Sequence, residues 1–173
     1  MFYSDVSYGK LLGASGQFLV GYEGYDQFFW NLFEQNTTLS HGLADSSITS
    51  LPASLFAQVY TINNQSHPNT VSDTNALVLG NVGDTLIISI VNSGKMSHAL
   101  HFHGYHVEIL HQSKNSFMEG LEKDTFPVEV GATCVVRLIP NQPGMFPVHD
   151  HNLFAVNTGS YPGGMITMLN ISP

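Results

Sequence analysis

Residues 97–106 read S-H-A-L-H-F-H-G-Y-H and hold four of the nine histidines in the chain. A second window, residues 149–151, reads H-D-H. Side chains alternate along a β-strand, so each H-x-H pair presents two imidazoles on one face of a sheet. If the two strands are neighbours, four rings converge: His101, His103, His149 and His151. Imidazole suits copper and zinc, so the pattern predicts a metal site, the alternative being ordinary hydrogen-bonded, partly buried histidines.

The segments around these windows are typical of β-strands. Residues 85–92 (TLIISIVN) and 134–140 (CVVRLIP) are rich in β-branched residues, and turn residues recur roughly every ten positions. Residues 99–110 are predicted to form one strand that carries the first histidines. The pattern of about seven or eight strands without an amphipathic helix predicts an all-β, Greek-key β-sandwich or barrel.

Composition limits the classes of partner. Thirteen acidic residues against five basic ones give a net charge of −8, which argues against nucleic acid and anionic membrane surfaces. No apolar run has the length of a transmembrane helix, and no signal-peptide pattern is visible at the N-terminus. Only 10% of residues are charged, which favours a surface partly covered by other subunits.

The first third of the chain is less regular in pattern. Residues 25–33 (YDQFFWNLF) form an aromatic patch whose periodicity does not decide between a short helix and a strand. These aromatic side chains are expected to pack on the sandwich or on a neighbouring subunit, or alternatively to cap the core of their own domain. Residues 36–51 are rich in Ser, Thr, Asn and Asp and indicate a loop or linker.

Four blocks of the sequence resemble the multicopper oxidase family. The S-H-A-L-H-F-H-G-Y-H stretch is similar to its H-P-x-H-x-H-G-H motif. Residues 143–151 (PGMFPVHDH), followed by Y-P-G-G-M, resemble its N-P-G-x-W-x-x-H-C-H motif and closing G-G-M. Residues 59–70 and 82–92 resemble the lead-in to the first motif. The resemblance covers residues 56–173 and implies a cupredoxin-like domain there, with residues 1–55 as an N-terminal extension or linker, or as the end of a preceding cupredoxin-like unit.

The resemblance implies a ligand set for the face that these four histidines share. His101 and His103 match the histidines that serve the type 2 and type 3 coppers in the family. His149 and His151 match the pair that binds the type 3 coppers. Copper is therefore the expected metal, with zinc as the alternative.

The same matching implies that the type 1 copper site is lost. His98 matches one type 1 histidine, but Asp150 stands where the family has the thiolate cysteine, and Ala155 stands where it has the second histidine. A blue-copper site needs two imidazoles and a thiolate. We expect His98 and Asp150 to form an imidazole–carboxylate hydrogen bond instead. The single cysteine, Cys134, excludes an internal disulfide and is expected to be a small core residue.

Two functions remain open. One is a copper-binding oxidoreductase of the multicopper oxidase type without a type 1 centre. The other is a non-catalytic metal-binding or structural subunit; a hydrolytic zinc site is a weaker third reading. Because the family builds its copper cluster between two domains, the resemblance implies a homo-oligomer, a trimer first, or a second cupredoxin domain as partner. It also implies a periplasmic or secreted location.

Overall fold

The structure, a computed structural model, describes residues 25–35, 57–157 and 160–173. These residues form eleven β-strands and two 3₁₀ helices, Asn69–Val71 and Ser116–Met118. The strands are β1 (Asp26–Gln35), β2 (Val59–Ile62), β3 (Val78–Asn81), β4 (Leu86–Asn92), β5 (His98–Phe102), β6 (Val107–Gln112), β7 (Glu122–Lys123), β8 (Thr125–Val128), β9 (Thr133–Leu138), β10 (Gly144–Asp150) and β11 (Ile166–Ser172).

The strands form two sheets, and buried side chains from both sheets make one core. The six-stranded sheet has the order β2-β1-β4-β9-β6-β7, and the five-stranded sheet has the order β3-β11-β10-β5-β8. The all-β sandwich predicted from the sequence is confirmed. Within the described residues, no helix has the length and apolar character that crossing a membrane requires.

The six-stranded sheet is built around β4, a strand in which no residue is exposed. All seven of its residues are buried, and it pairs with β1 on one side and β9 on the other. A strand buried on both faces is expected to be a continuous β-branched run. The sequence of β4, LIISIVN, has this character.

Strand β1 supplies the largest buried side chain of the core, Trp30. Its indole nitrogen donates to the Ala76 carbonyl at 2.9 Å, and its ring stacks on Phe102 of the other sheet with centroids 6.0 Å apart. The undecided aromatic patch is therefore a strand, and Trp30 packs within its own sandwich. This strand lies inside residues 1–55, the predicted extension. Residues 36–56 lie outside the described part of the chain, so the domain limits stay a prediction.

The predicted single strand over residues 99–110 is wrong, because the structure divides it. Strand β5 ends at Phe102 and β6 begins at Val107, and the two strands lie in different sheets. Gly104 has a φ of +77°, a left-handed conformation that glycine adopts without steric cost and that turns the chain. His103 therefore lies just beyond the end of β5.

Candidate metal centre

The histidine windows are placed side by side by strands β5 and β10. These strands are antiparallel neighbours, and His149 lies directly opposite His101. Alternation turns the side chains of both residues away from the core, whereas Leu100 and Val148 point inward and are fully buried. Directly opposite residues have β-carbons about 5 Å apart. The condition for convergence, that the two histidine-bearing strands are neighbours, is met.

Backbone carbonyls fix the orientation of two of these rings. The Nδ1 atom of His101 lies 3.1 Å from the Asp124 carbonyl oxygen and 2.8 Å from the Thr125 hydroxyl. The Nδ1 atom of His149 lies 2.8 Å from the Asp150 carbonyl oxygen. Because a carbonyl can only accept, each Nδ1 donates its proton and each Nε2 keeps a lone pair. This is the arrangement found behind metal-ligating histidines.

His103 completes a compact group of three rings. Its Nε2 atom lies 3.0 Å from the Nε2 atom of His149, close enough for the two nitrogens to share one proton or one cation. One nitrogen from each of His101, His103 and His149 lies within 4.8 Å of the others. Burial, followed by the neighbouring imidazoles, lowers the pKa of His103, which favours its neutral, metal-binding form at pH 7. The donor set therefore fits copper.

His151 lies at the rim of this group. Its ring centroid is 5.4 Å from that of His101 and 6.1 Å from that of His149, and the residue is exposed. Its backbone nitrogen donates to the Ala99 carbonyl at 2.7 Å, which continues the pairing of β10 with β5. Three of the four predicted ligands are thus brought together and the fourth stands beside them. Ligation by all four stays a prediction.

The inner face of the same two strands holds His98 and Asp150. The His98 Nδ1 atom lies 2.6 Å from Asp150 Oδ2, and both side chains are fully buried. The predicted imidazole–carboxylate hydrogen bond is confirmed. Asp150 Oδ1 also accepts from the backbone nitrogens of Ala99 at 3.0 Å and Asn152 at 2.9 Å.

Glu34 is a third member of this buried cluster and was not expected from the sequence. Its Oε2 atom lies 3.2 Å from His98 Nε2, and its side chain is 3% exposed. A signal was present: alternation along β1 places Trp30, Leu32 and Glu34 on one face, and the first two are core residues. A carboxylate on a buried face needs a partner.

The two carboxylates set the charge state of His98. Burial is the largest single influence and lowers its pKa, but the hydrogen bonds and charges of Asp150 and Glu34 together outweigh burial and raise the pKa to about 9. The geometry supports the same state, because only the imidazolium can donate from both ring nitrogens. His98 is therefore a buried cation at pH 7.

Two further residues bear on the predicted loss of the type 1 site, Ala155 and Cys134. Ala155 is fully buried. Cys134 is the core residue that was predicted: it lies on β9 of the other sheet, and burial, aided by the charge of Glu119, raises its pKa to about 12. A protonated thiol in the core is a poor ligand, since thiolate is the form that binds metal.

Comparison with known proteins supports a common fold. The sequence model described as multicopper oxidase matches residues 45–163. The crystal structure of the blue copper oxidase from Nitrosomonas europaea superposes with a TM-score of 0.69 at 22% identity, over 88% of this chain and 46% of that one. A multicopper oxidase from Campylobacter jejuni, titled a metallo-oxidase, gives 0.62 at 20% identity, over 87% and 31%.

At these identities the solved structures establish the fold alone, which is cupredoxin-like. The chain spans less than half the length of either oxidase. No curated protein sequence matches it significantly. The family model, in contrast, covers well over half of the chain and includes both histidine windows. The chain belongs to the multicopper oxidase family.

Proposed function

We propose that this chain binds copper at its histidine face, defined as His101, His103, His149 and His151, and that it is an oxidoreductase of the multicopper oxidase type without a type 1 copper. The observation that carries the proposal is the convergence of three imidazoles, two of which donate Nδ1 protons to backbone carbonyls. Oriented imidazoles with free Nε2 lone pairs bind copper well.

Bound copper would supply one-electron redox chemistry at this face. The protein's own residues prepare the face for it. The Asp124 and Asp150 carbonyls hold His101 and His149 in the tautomer that presents Nε2. Burial and the neighbouring imidazoles lower the pKa of His103, which favours the neutral form that binds metal. Little ordering or deprotonation is then needed when the metal binds.

Three residues support the absence of a type 1 centre. A blue-copper site takes two imidazoles and a thiolate, and the matching positions hold His98, Asp150 and Ala155. His98 is already engaged at both ring nitrogens by carboxylates. We infer that electrons do not enter through a type 1 copper in this chain.

The histidine face lies on an outer surface that a partner would cover. Met145 shares the outward face of β10 with His149 and is 64% exposed. In the adjoining loop, Leu153 and Phe154 are 73% and 69% exposed. Exposed apolar side chains around a polar site are typical of an interface. We propose a homo-oligomer, a trimer first, in which a neighbouring copy supplies further ligands; a second cupredoxin domain is the alternative partner.

A non-catalytic metal-binding subunit is the second candidate. It is favoured by the carboxylates at the type 1 position, because the family's electron path from substrate begins there. In this case the histidine face would bind copper for storage or assembly. Family membership favours a periplasmic or secreted location for either function.

The deciding experiment is metal content per chain on the assembled protein, combined with EPR and oxygen consumption. We expect bound copper with a type 2 EPR signal and no intense blue colour. The double variant His101→Ala/His149→Ala should lose the copper, while the matched control His106→Ala, at an exposed histidine outside the face, should keep it.

Other results would contradict separate parts of the proposal. Intense blue colour on copper loading would contradict the absence of a type 1 centre. Preferential binding of zinc would contradict the copper assignment. Copper without oxygen consumption for phenol, metal-ion or nitrite donors would select the non-catalytic subunit. Light scattering tests the partner separately: a monomer that binds copper fully would contradict the oligomeric site.

A further inference from the structure

We propose that Glu34, His98 and Asp150 form a buried ionic clamp that holds the two histidine-bearing strands in position without a metal. In this role the three residues are positioning residues for the histidine face. The inference rests on the proposed function of that face. The clamp lies on the inner side of β5 and β10, and the predicted ligands lie on the outer side of the same strands.

Asp150 connects β5 to β10 next to the ligands. Its carboxylate accepts from His98 Nδ1 and from the Ala99 nitrogen, both on β5, and from the Asn152 nitrogen beyond the end of β10. Its neighbours in sequence are His149 and His151. Displacement of this carboxylate would therefore move the backbone from which the outer imidazoles extend.

Glu34 connects the same point to the opposite sheet. It lies on β1 of the six-stranded sheet, whereas His98 and Asp150 lie on the five-stranded sheet. Its Oε2 atom reaches His98 Nε2 at 3.2 Å, and its Oε1 atom accepts from the Lys95 nitrogen. The clamp thus spans the sandwich and limits how far the sheets can shift past each other beneath the histidine face.

Gly94 makes room for the Glu34 carboxylate. A β-carbon at position 94 would overlap Glu34 Oε2, and the backbone of Gly94 is not in the left-handed region. The glycine is therefore required by space rather than by conformation. An alanine there could keep the backbone but would displace the carboxylate.

The charges of the clamp depend on His98. One imidazolium lies between two carboxylates, with side-chain exposures of 3% or less. The facing group from β2 is Tyr60, whose pKa is raised by burial and by both carboxylates, so it stays a neutral phenol. Loss of the imidazolium would leave two carboxylates buried without a positive partner.

Glu34→Gln and Gly94→Ala test the clamp, because neither change touches a predicted ligand. In metal-free protein, histidine-labelled NMR should show both ring nitrogens of His98 protonated. The ring signals of His101 and His149 should shift in both variants. After copper loading, affinity should fall about tenfold and the EPR spectrum should change, as for other residues that orient metal ligands.

Gly94→Ala should have no further effect in a Glu34→Ala background, since the overlapping carboxylate is gone. If Gly94→Ala does not fold, Glu34→Gln still tests the positioning role, because glutamine keeps the shape of the side chain. Variants that unfold more easily but leave the ring signals and the EPR spectrum unchanged would overturn the positioning role. A wild-type protein that binds no copper would refute the proposed function, while the metal-free NMR would still test the clamp.

Discussion

Strands β5 and β10 present imidazole rings to two different environments. On the outer side, His101 and His149 donate from Nδ1 to neutral carbonyl groups, and no carboxylate of the described residues engages their Nε2 atoms. On the inner side, His98 lies between two carboxylates and has no free nitrogen. Position 150 illustrates the difference: its backbone carbonyl orients an outer ring while its side chain binds the inner one. The partner group, rather than the ring, decides whether a histidine is available to a metal.

Removal of the buried His98 imidazolium should have the largest effect on stability. His98→Leu would leave two buried carboxylates without compensation, so we expect the free energy of unfolding to fall by about 3–5 kcal/mol. Urea unfolding of the metal-free protein at neutral pH measures this change. His106→Leu, at an exposed histidine, is the control and should unfold like the wild type. An equal decrease in the free energy of unfolding in both variants would contradict the clamp.

The inner ring should also make stability depend on pH. Its folded pKa of about 9 lies above the ordinary histidine value of 6.5. The stabilisation is therefore fully present below pH 6.5 and is lost as the pH rises through about 9. A shift of this size corresponds to on the order of 3 kcal/mol.

The measurement compares urea unfolding of wild type and His98→Gln across this pH range, in the absence of metal. The difference between the two proteins should shrink with rising pH, because glutamine does not titrate. Parallel stability curves would show that His98 is not the titrating group.

The outer and inner sides differ in how far the sequence predicts them. Alternation along the H-x-H windows, together with the family resemblance, placed His101 with His149 on one face and paired His98 with Asp150 on the other. These contacts lie on adjacent antiparallel strands, so local patterns and one strand pairing determine them. The turn at Gly104, which ends β5, depends on a left-handed residue that the strand pattern does not reveal.

Glu34 could not be paired from the sequence, because its partner lies 64 positions away and in the other sheet. The parallel pairing of β1 with β4 is nonlocal and leaves no periodic signal of its own. Gly94 likewise has a role only once Glu34 is in place. Contacts across a sandwich depend on how two sheets pack, whereas a one-dimensional pattern reports only the face to which a residue points.

On the outer side, loss of one orienting contact should weaken metal binding moderately. Thr125→Val removes the hydroxyl that lies 2.8 Å from His101 Nδ1 but leaves the Asp124 carbonyl in place. We expect copper affinity to fall about tenfold, the lower end for such contacts. A chelator competition titration measures it, with Thr133→Val on the other sheet as the matched control. Unchanged affinity would show that the carbonyl alone orients the ring.

An exposed pair of the same chemistry should show the smallest effect. His111 Nδ1 lies 3.1 Å from Glu119 Oε1, with side chains 45% and 37% exposed, whereas the His98 pair is fully buried. Water solvates an exposed pair, so Glu119→Gln should change the free energy of unfolding by less than about 1 kcal/mol. The amide oxygen can still accept from the Gln112 nitrogen, which isolates the charge. If urea unfolding showed that Glu119→Gln lowers the free energy of unfolding as much as His98→Leu does, burial would not explain the difference between the two pairs.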